Sequence, residues 1–515
     1  MKKICMLLVV TLTLGLALAG CGKAAKETRE NQEQNENQPM KSTGTMKEWE
    51  ENAVRIQLSD EEILVDGQAI SQNPEDAVYS ANDIIFYLEG QGIAYGEGTQ
   101  AEEHSQEEAD AHTVVHITQP GTYALSGKLS AGQIFVDLGE DAKDDPEAMV
   151  DLVLDNADIT CTVAPAVLFY SVYECGDKDT DNATKDVDIS GAGANVILAT
   201  DSENQVNGSH VAKIFKSCEL SEDGTEVVDS KKLHKYDGAF HSKMSMNVYA
   251  DTGALNIVAD NEGLDAEMHM TIHGGNISIR SGNDGINTNE DGISVFTMND
   301  GILQIAVDGQ AEEGDGIDSN GWLVVNGGTI YASACGQSED SGIDADLGIY
   351  VNGGTVVATG NMMDQLAQES QPYCIFNSRD TLEGGVAYTI KDASEETFMT
   401  ITPVNDFRIL VVSSENMEKD TQYTLWEGDT QVAEAGAGGM GGGFGRGQGG
   451  MRPEGGQMPE GMEIPEGMTP PEGEGGFGRG ERPEGMERPE GMEPPEGMEM
   501  PERMERPENI DKPEV

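Results

Sequence analysis

Between Asp237 and Gly360 the chain alternates short apolar, β-branched runs with polar turns at a fixed interval. One ladder of turn signals runs through His273-Gly274-Gly275, Asn299-Asp300-Gly301, Asn326-Gly327-Gly328 and Asn352-Gly353-Gly354, at spacings of 26, 27 and 26 residues. Each is followed by a run such as Asn276 to Ile279, Ile302 to Val307, Thr329 to Ser333 or Thr355 to Thr359. Their β-branching and period of two read as strands. A repeat of this length points to a solenoid. The repeat has no 3.6-residue periodicity, too few leucines for a leucine-rich repeat and no Trp-Asp marks of propeller blades. The pattern predicts an all-β fold, a parallel β-helix in which each coil of two or three strands stacks on the next. The Asn-Gly-Gly column would then take the left-handed turn that only Gly or Asn adopts at low cost.

A second ladder, aligned on its glycine, comprises Asp237-Gly238-Ala239, Glu262 to Glu267, Asp284 to Asn289, Asp315 to Asn320 and Ser341 to Asp346. Positions +1 and +3 are apolar or small and face inward, while −1, +2 and +4 are almost all Asp, Asn or Glu. A period of two places +2 and +4 on the opposite face. The candidate cation ligands are Glu262, Asp265, Glu267, Asp284, Asn287, Asn289, Asp291, Asp315, Asp318, Asn320, Asp344 and Asp346. Carboxylates stacked about 4.8 Å apart repel by roughly 1 kcal/mol per pair in water, and by more where shielded. An all-oxygen donor set, with little His and no paired Cys, favours calcium over zinc. The plainer alternative is that Asp and Asn only form solvated turns. Asn287 to Gly292 opens like an EF-hand loop, but Met298 stands where its closing Glu belongs, so no EF-hand is expected. Trp322, Tyr331 and Tyr350 are the aromatic candidates for stacking on sugar rings, in a chain with 5% aromatic residues.

Charge narrows the partners. With 94 acidic against 31 basic residues and a net charge of −63, nucleic acid and anionic lipid surfaces are excluded as direct partners. Of seven cysteines, Cys161, Cys175, Cys218, Cys335 and Cys374 fall in the expected folded part, at spacings that match no zinc or redox pattern. At the N-terminus, Lys2 and Lys3 precede an apolar run from Ile4 to Leu18, and Leu18-Ala19-Gly20-Cys21 resembles the lipobox of bacterial lipoproteins. The expected organisation is a lipoprotein signal peptide at 1–20, a lipidated Cys21 opening a flexible linker at 21–48, the β-helix at 49–435, and a disordered tail rich in Gly, Met, Pro and Glu at 436–515. That places a monomer on the extracytoplasmic face of the cell membrane, held by lipid alone.

The lipobox, the Asp-Gly-Ile ladder and the Asn-Gly-Gly ladder, with Ile117 to Ser130, Val150 to Ile159 and Thr421 to Trp426, together resemble a family of bacterial carbohydrate-binding domain proteins. The resemblance spans roughly Arg55 to Glu427 and implies a calcium-binding, right-handed parallel β-helix, similar in fold to pectate lyases, that binds cellulose and polygalacturonate. The chain departs from that pattern at its acidic insertions near Glu97–Asp110 and Glu174–Asp186, and at Ala239-Phe240-His241. Catalysis is not expected. A pectate lyase needs a Lys or Arg base beside calcium, yet from Met244 to Tyr388 the only such residues are Arg280 and Arg379, and Lys231, Lys232, Lys235 and Lys243 lie in or beside the less regular stretch before the repeat. The expected function is surface retention of a polysaccharide. A calcium-dependent pectate lyase and a structural or adhesive surface protein are the alternatives.

Overall fold

The computed structural model describes residues 52–85 and 104–438, apart from 212–213, 222–223, 226, 310–312 and 365. The expected signal peptide (1–20), Cys21, the linker 21–48 and nearly all of the tail 436–515 lie outside those residues. The described residues belong to the compact unit Met1–Gly445.

The all-β expectation is met, and most strands fall into three parallel stacks. Sheet one contains, in spatial order, Val78–Ala81, Thr113–Ile117, Gly132–Asp137, Val167–Ser171, Gly238–Ser242, Glu262–Ala266, Ile286–Thr288 and Ile317–Ser319. Only its first pair is antiparallel. Sheet two stacks Ala194–Leu198, Met246–Ala250, Met270–Ile272, Val295–Met298, Trp322–Val325 and Gly348–Val351. Sheet three stacks Glu203–Gly208, Ala254–Ala259, Asn276–Ser281, Ile302–Val307, Thr329–Ser333 and Thr355–Gly360. From Gly238 onward the chain visits sheets one, two and three in that order in each circuit. One circuit is therefore one 26-residue repeat.

Because each strand pairs in register with its counterpart one circuit later, inward side chains line up in apolar rows. Leu264, Ile286 and Ile317 form one, Met246, Met270, Phe296, Leu323 and Ile349 a second, and Leu255, Ile277, Leu303, Ile330 and Val356 a third. All are buried in one continuous core. Each such side chain contributes roughly 1.5–3 kcal/mol relative to exposure.

The turn ladder is a hydrogen-bonded chain of side chains. Asn195 Nδ2 donates to Asp151 Oδ1 at 3.1 Å and Asn247 Nδ2 to Asn195 Oδ1 at 3.1 Å. His273 continues it with Nε2 at 3.1 Å from Asn247 Oδ1 and Nδ1 at 3.4 Å from Asn299 Nδ2. Asn326 and Asn352 each donate to the amide oxygen one circuit back at 2.9 Å. These neighbours require a neutral His273 with its proton on Nε2. Burial depresses the ring pKa to about 4, against a smaller opposing pull from Asp188.

The expected span 49–435 is not uniform. Beyond Thr355–Gly360 the parallel stacking stops, because Phe407–Ser414 pairs antiparallel with both that strand and Tyr373–Leu382. It covers the edge that the last circuit would otherwise present. Tyr388–Lys391, Thr397–Ile401, Gln422–Glu427 and Thr430–Gly436 form a four-stranded antiparallel sheet around a separate core that includes Phe376, Tyr388, Phe407, Tyr423 and Leu425.

The acidic segment between Ser171 and Ala194 is a strap across sheet two. Glu174 accepts from Ser245 N at 2.6 Å and Ser245 Oγ at 2.8 Å, Ile189 O accepts from Asn247 Nδ2 at 2.8 Å, and Lys185 Nζ sits 5.0 Å from the Tyr350 ring centroid. Hence Asn247, Thr271, Thr297 and Val324 are buried although they point away from the core.

The turn glycines differ in what surrounds them. Gly301 has φ +95° and an added Cβ would lie 2.5 Å from Gly275 O, whereas Gly292 has φ +69° with nothing within 4 Å. Gly292→Ala should cost about 1–2 kcal/mol from its left-handed backbone alone. Gly301→Ala should cost clearly more, measured by urea unfolding, and equal losses would contradict the close stacking of these turns.

Candidate functional site

The chemistry of sheet one follows from its register. Asp265 pairs with Asn287 and Asn287 with Asp318. The segment 344–346 continues the column through Asp344 N to Ile317 O at 2.8 Å and Asp346 N to Ser319 O at 3.1 Å. Upstream, the glycine alignment at Gly238 is off by one residue: Phe240 faces Leu264 and His241 faces Asp265. His241, not an acid or amide, thus occupies the +2 position of that circuit. It is fully buried, its Nδ1 hydrogen-bonds Asp265 Oδ2, and its Nε2 lies 3.9 Å from Glu267 Oε1. Burial opposes the imidazolium, but the carboxylates of Asp265, Glu267 and Asp237 outweigh it and raise the pKa above the ordinary value.

The −1 and +2 columns converge. Asp284 Oδ1 accepts from Asp315 N at 2.7 Å and Asp315 Oδ1 from Ser341 N at 2.6 Å, so one oxygen of each carboxylate ties successive circuits together. Ligand oxygens of Asp315, Asp318 and Asp344 lie within 4.8 Å of one another. One step upstream, Asn287 Nδ2 bridges Glu262 Oε1 at 3.2 Å and Asp284 Oδ2 at 3.5 Å. Glu262 Oε2, Asn287 Oδ1 and Asp344 Oδ1 are buried without a hydrogen-bond partner. Such orphaned oxygens are costly.

Electrostatics records that cost. Burial first, then neighbouring carboxylates, push Asp284 up to about 8, Asp315 to about 9, Asp318 to about 6 and Asp344 to about 7. Glu262 is pushed well above its ordinary value by burial and by Asp265, Asp237 and Asp284. The +4 column contributes less. Asn289 donates to Asp265 Oδ1 at 2.5 Å, and Asn320 donates to Asn289 O at 2.8 Å and Asp291 Oδ1 at 2.9 Å. Glu267 lies beside His241 and Lys243, while Asp291 and Asp346 are exposed at the rim.

Three acids of this neighbourhood fall outside the repeat pattern. Asp364 raises Asp344 through its charge and a hydrogen bond, Asp340 accepts from Gly314 N at 2.7 Å and raises Asp284 and Asp318, and Glu313 raises Asp284. They lie on irregular segments, where no periodicity could mark them. The donors at both steps are oxygen throughout, the set that suits a hard divalent cation.

The aromatic candidates separate. Trp322 and Tyr350 lie on sheet two, with Lys185 over the Tyr350 ring, while Tyr331 lies on sheet three and is 42% exposed. Upstream on sheet one, Tyr79 stacks on His116 at 4.4 Å, His116 meets Phe135 at 5.2 Å, and Phe135 stacks on Tyr170 at 5.4 Å. Lys243 Nζ lies 4.2 Å from the Tyr170 ring centroid, beside Glu267.

An all-β chain built of repeated parallel strands, with buried oxygen ligands in register on one sheet, defines the class. The model of the carbohydrate-binding domain-containing protein family matches residues 111–397, more than half of the 515 residues, and the chain belongs to that family. No protein of curated function matches it in sequence. A solved structure, the polysaccharide lyase-like protein from C. thermocellum in its gadolinium derivative, is similar at 20% identity and a TM-score of 0.33, over 59% of this chain and 93% of that one. A superposition that loose carries no conclusion about fold or function.

In the unfolded chain the four aspartates ionise near pH 4, whereas in the folded chain they hold protons to about pH 6–9. Their contribution to stability is complete below pH 4 and is lost as pH rises through the folded values. With EDTA present, the urea midpoint should fall between pH 5 and 8, and Asp315→Asn with Asp318→Asn should flatten the slope. An unchanged slope in the double variant would contradict this.

Proposed function

We propose that this protein retains an extended plant-cell-wall-type polysaccharide, cellulose or pectin, without cleaving it. In this reading the three parallel stacks are the faces of a right-handed parallel β-helix, and calcium ions in the columns of sheet one stiffen it. The observation that carries the proposal is the convergence of Asp315, Asp318 and Asp344, with Asp344 Oδ1 buried and unpartnered, in a member of a carbohydrate-binding family. Calcium takes six to eight oxygens, so an ion held by these residues and their neighbours keeps positions for water or for a uronate carboxylate. A shared cation is also the means by which a chain of net charge −63 holds an acidic glycan.

Holding fits better than cleavage because the positive groups are elsewhere. Arg280 is on sheet three, 3.6 Å from Asp308, Arg379 is on the antiparallel strand Tyr373–Leu382, and Lys243 lies over Tyr170. None stands beside the three converging aspartates as a base. A lipid on Cys21 would keep the captured glycan at the outer face of the cell membrane, with the protein acting as a monomer.

Polygalacturonate beads should retain the protein in calcium and release it in EDTA, and incubation with soluble pectate should generate no absorbance from unsaturated product. Retention that survives chelation would sink the shared-cation reading. Product absorbance would establish a lyase instead.

A further inference from the structure

Sheet three differs electrostatically from the rest of the molecule. In a chain with 94 acidic residues, the outward positions of its six strands carry only two charges, Glu203 and Arg280. Arg280 is paired with Asp308. The other two sheets are not comparable, because sheet one presents the acidic columns and the strap from 172 to 193 crosses sheet two.

The central outward row of sheet three is fixed by register: Gln205 pairs with Asn256, Asn256 with Ser278, Ser278 with Gln304, and Gln304 with Tyr331. Beyond Gln205, which donates to Asn207, none of these side chains makes a hydrogen bond among the described residues. The row therefore offers a line of free amide and hydroxyl groups, which both donate and accept, ending on an aromatic ring. Val258 at 45% and Ile302 at 43% exposure flank it, with Tyr331 at 42%. Three of the exposed large apolar side chains thus share one flat face, an arrangement that marks an interaction surface.

We infer that this face of sheet three binds a neutral, hydroxyl-rich polysaccharide laid across the strands along the Asn256–Ser278–Gln304–Tyr331 row. Neutrality of the ligand follows from the surface. It holds no cluster of acids to carry a bridging cation, so an anionic glycan approaching it meets the repulsion of the whole molecule unrelieved. An uncharged glycan meets none, and its hydroxyls match the amides while its ring C–H faces pack on Val258, Ile302 and Tyr331. Strands spaced about 4.8 Å apart present one contact group per step to a regularly repeating chain. The inference rests on the glycan-holding reading but places this contact away from the acidic columns, so it is independent of calcium.

The test is retention of the whole protein on insoluble cellulose in EDTA, with polygalacturonate in calcium run in parallel. Wild type should bind cellulose with or without chelator. Tyr331→Ala should weaken that binding at least tenfold, and Ser278→Asp with Gln304→Glu should abolish it. Both should leave the unfolding midpoint and the polygalacturonate result unchanged. Variants that hold cellulose as wild type does would overturn the assignment of this face while leaving the glycan reading intact. Wild type retained on polygalacturonate but not on cellulose would overturn the neutral ligand. Retention on neither polysaccharide would overturn both readings.

Discussion

Parallel strands stacked about 4.8 Å apart bring the same residue of successive repeats to the same place, and this constraint governs the rest of the molecule. An amide has a donor and an acceptor, so a column of Asn satisfies itself, as it does from Asn299 to Asn352. A carboxylate has acceptors only, so a column of Asp cannot. Sheet one uses two remedies: Asp284 and Asp315 each accept a backbone N–H from the next circuit, and His241 stands as a partner to Asp265 at the upstream end. Between those remedies the oxygens of Glu262, Asn287 and Asp344 remain unmatched. A divalent cation supplies what they lack, and a pKa of about 9 at Asp315 expresses the same deficit as a retained proton.

The repeat was legible in the sequence because the constraint is periodic. The intervals of 26 and 27 residues, the β-branched runs and the Asp-Gly-Ile strings located the strands of sheets one and three and most of the converging acids. Features without a period were not legible. The one-residue offset at His241 hides behind an Asp-Gly pair that imitates the ladder. Asp364 and Asp340 reach the site from irregular segments, and the acidic insertion gave no sign that it straps sheet two. The antiparallel closure is set by long-range pairing between Phe407–Ser414 and strands far from it in sequence, which local pattern does not encode. Nor could spacing alone say that Tyr331 lies on a different sheet from Trp322 and Tyr350.

One repeat thus yields three surfaces of different character. Sheet two is crossed by a strap fixed through Glu174, Ile189 and Lys185. Sheet one concentrates oxygen ligands at its downstream end and stacked rings at its upstream end. Sheet three is open and nearly uncharged. A family member of this build can meet charged and neutral glycans on separate faces without conflict, since the cation chemistry of one does not reach the other.

The central claim is that buried, protonated aspartates on sheet one give way to a bound cation. Calorimetric titration of calcium into EDTA-stripped protein, repeated at pH 7 in buffers of different ionisation enthalpy, tests it most directly by counting the protons released. Calcium should bind with net proton release, and Asp315→Asn with Asp318→Asn and Asp344→Asn should remove both the binding and the release. Calcium binding without proton release, or binding that survives the triple substitution, would contradict the account.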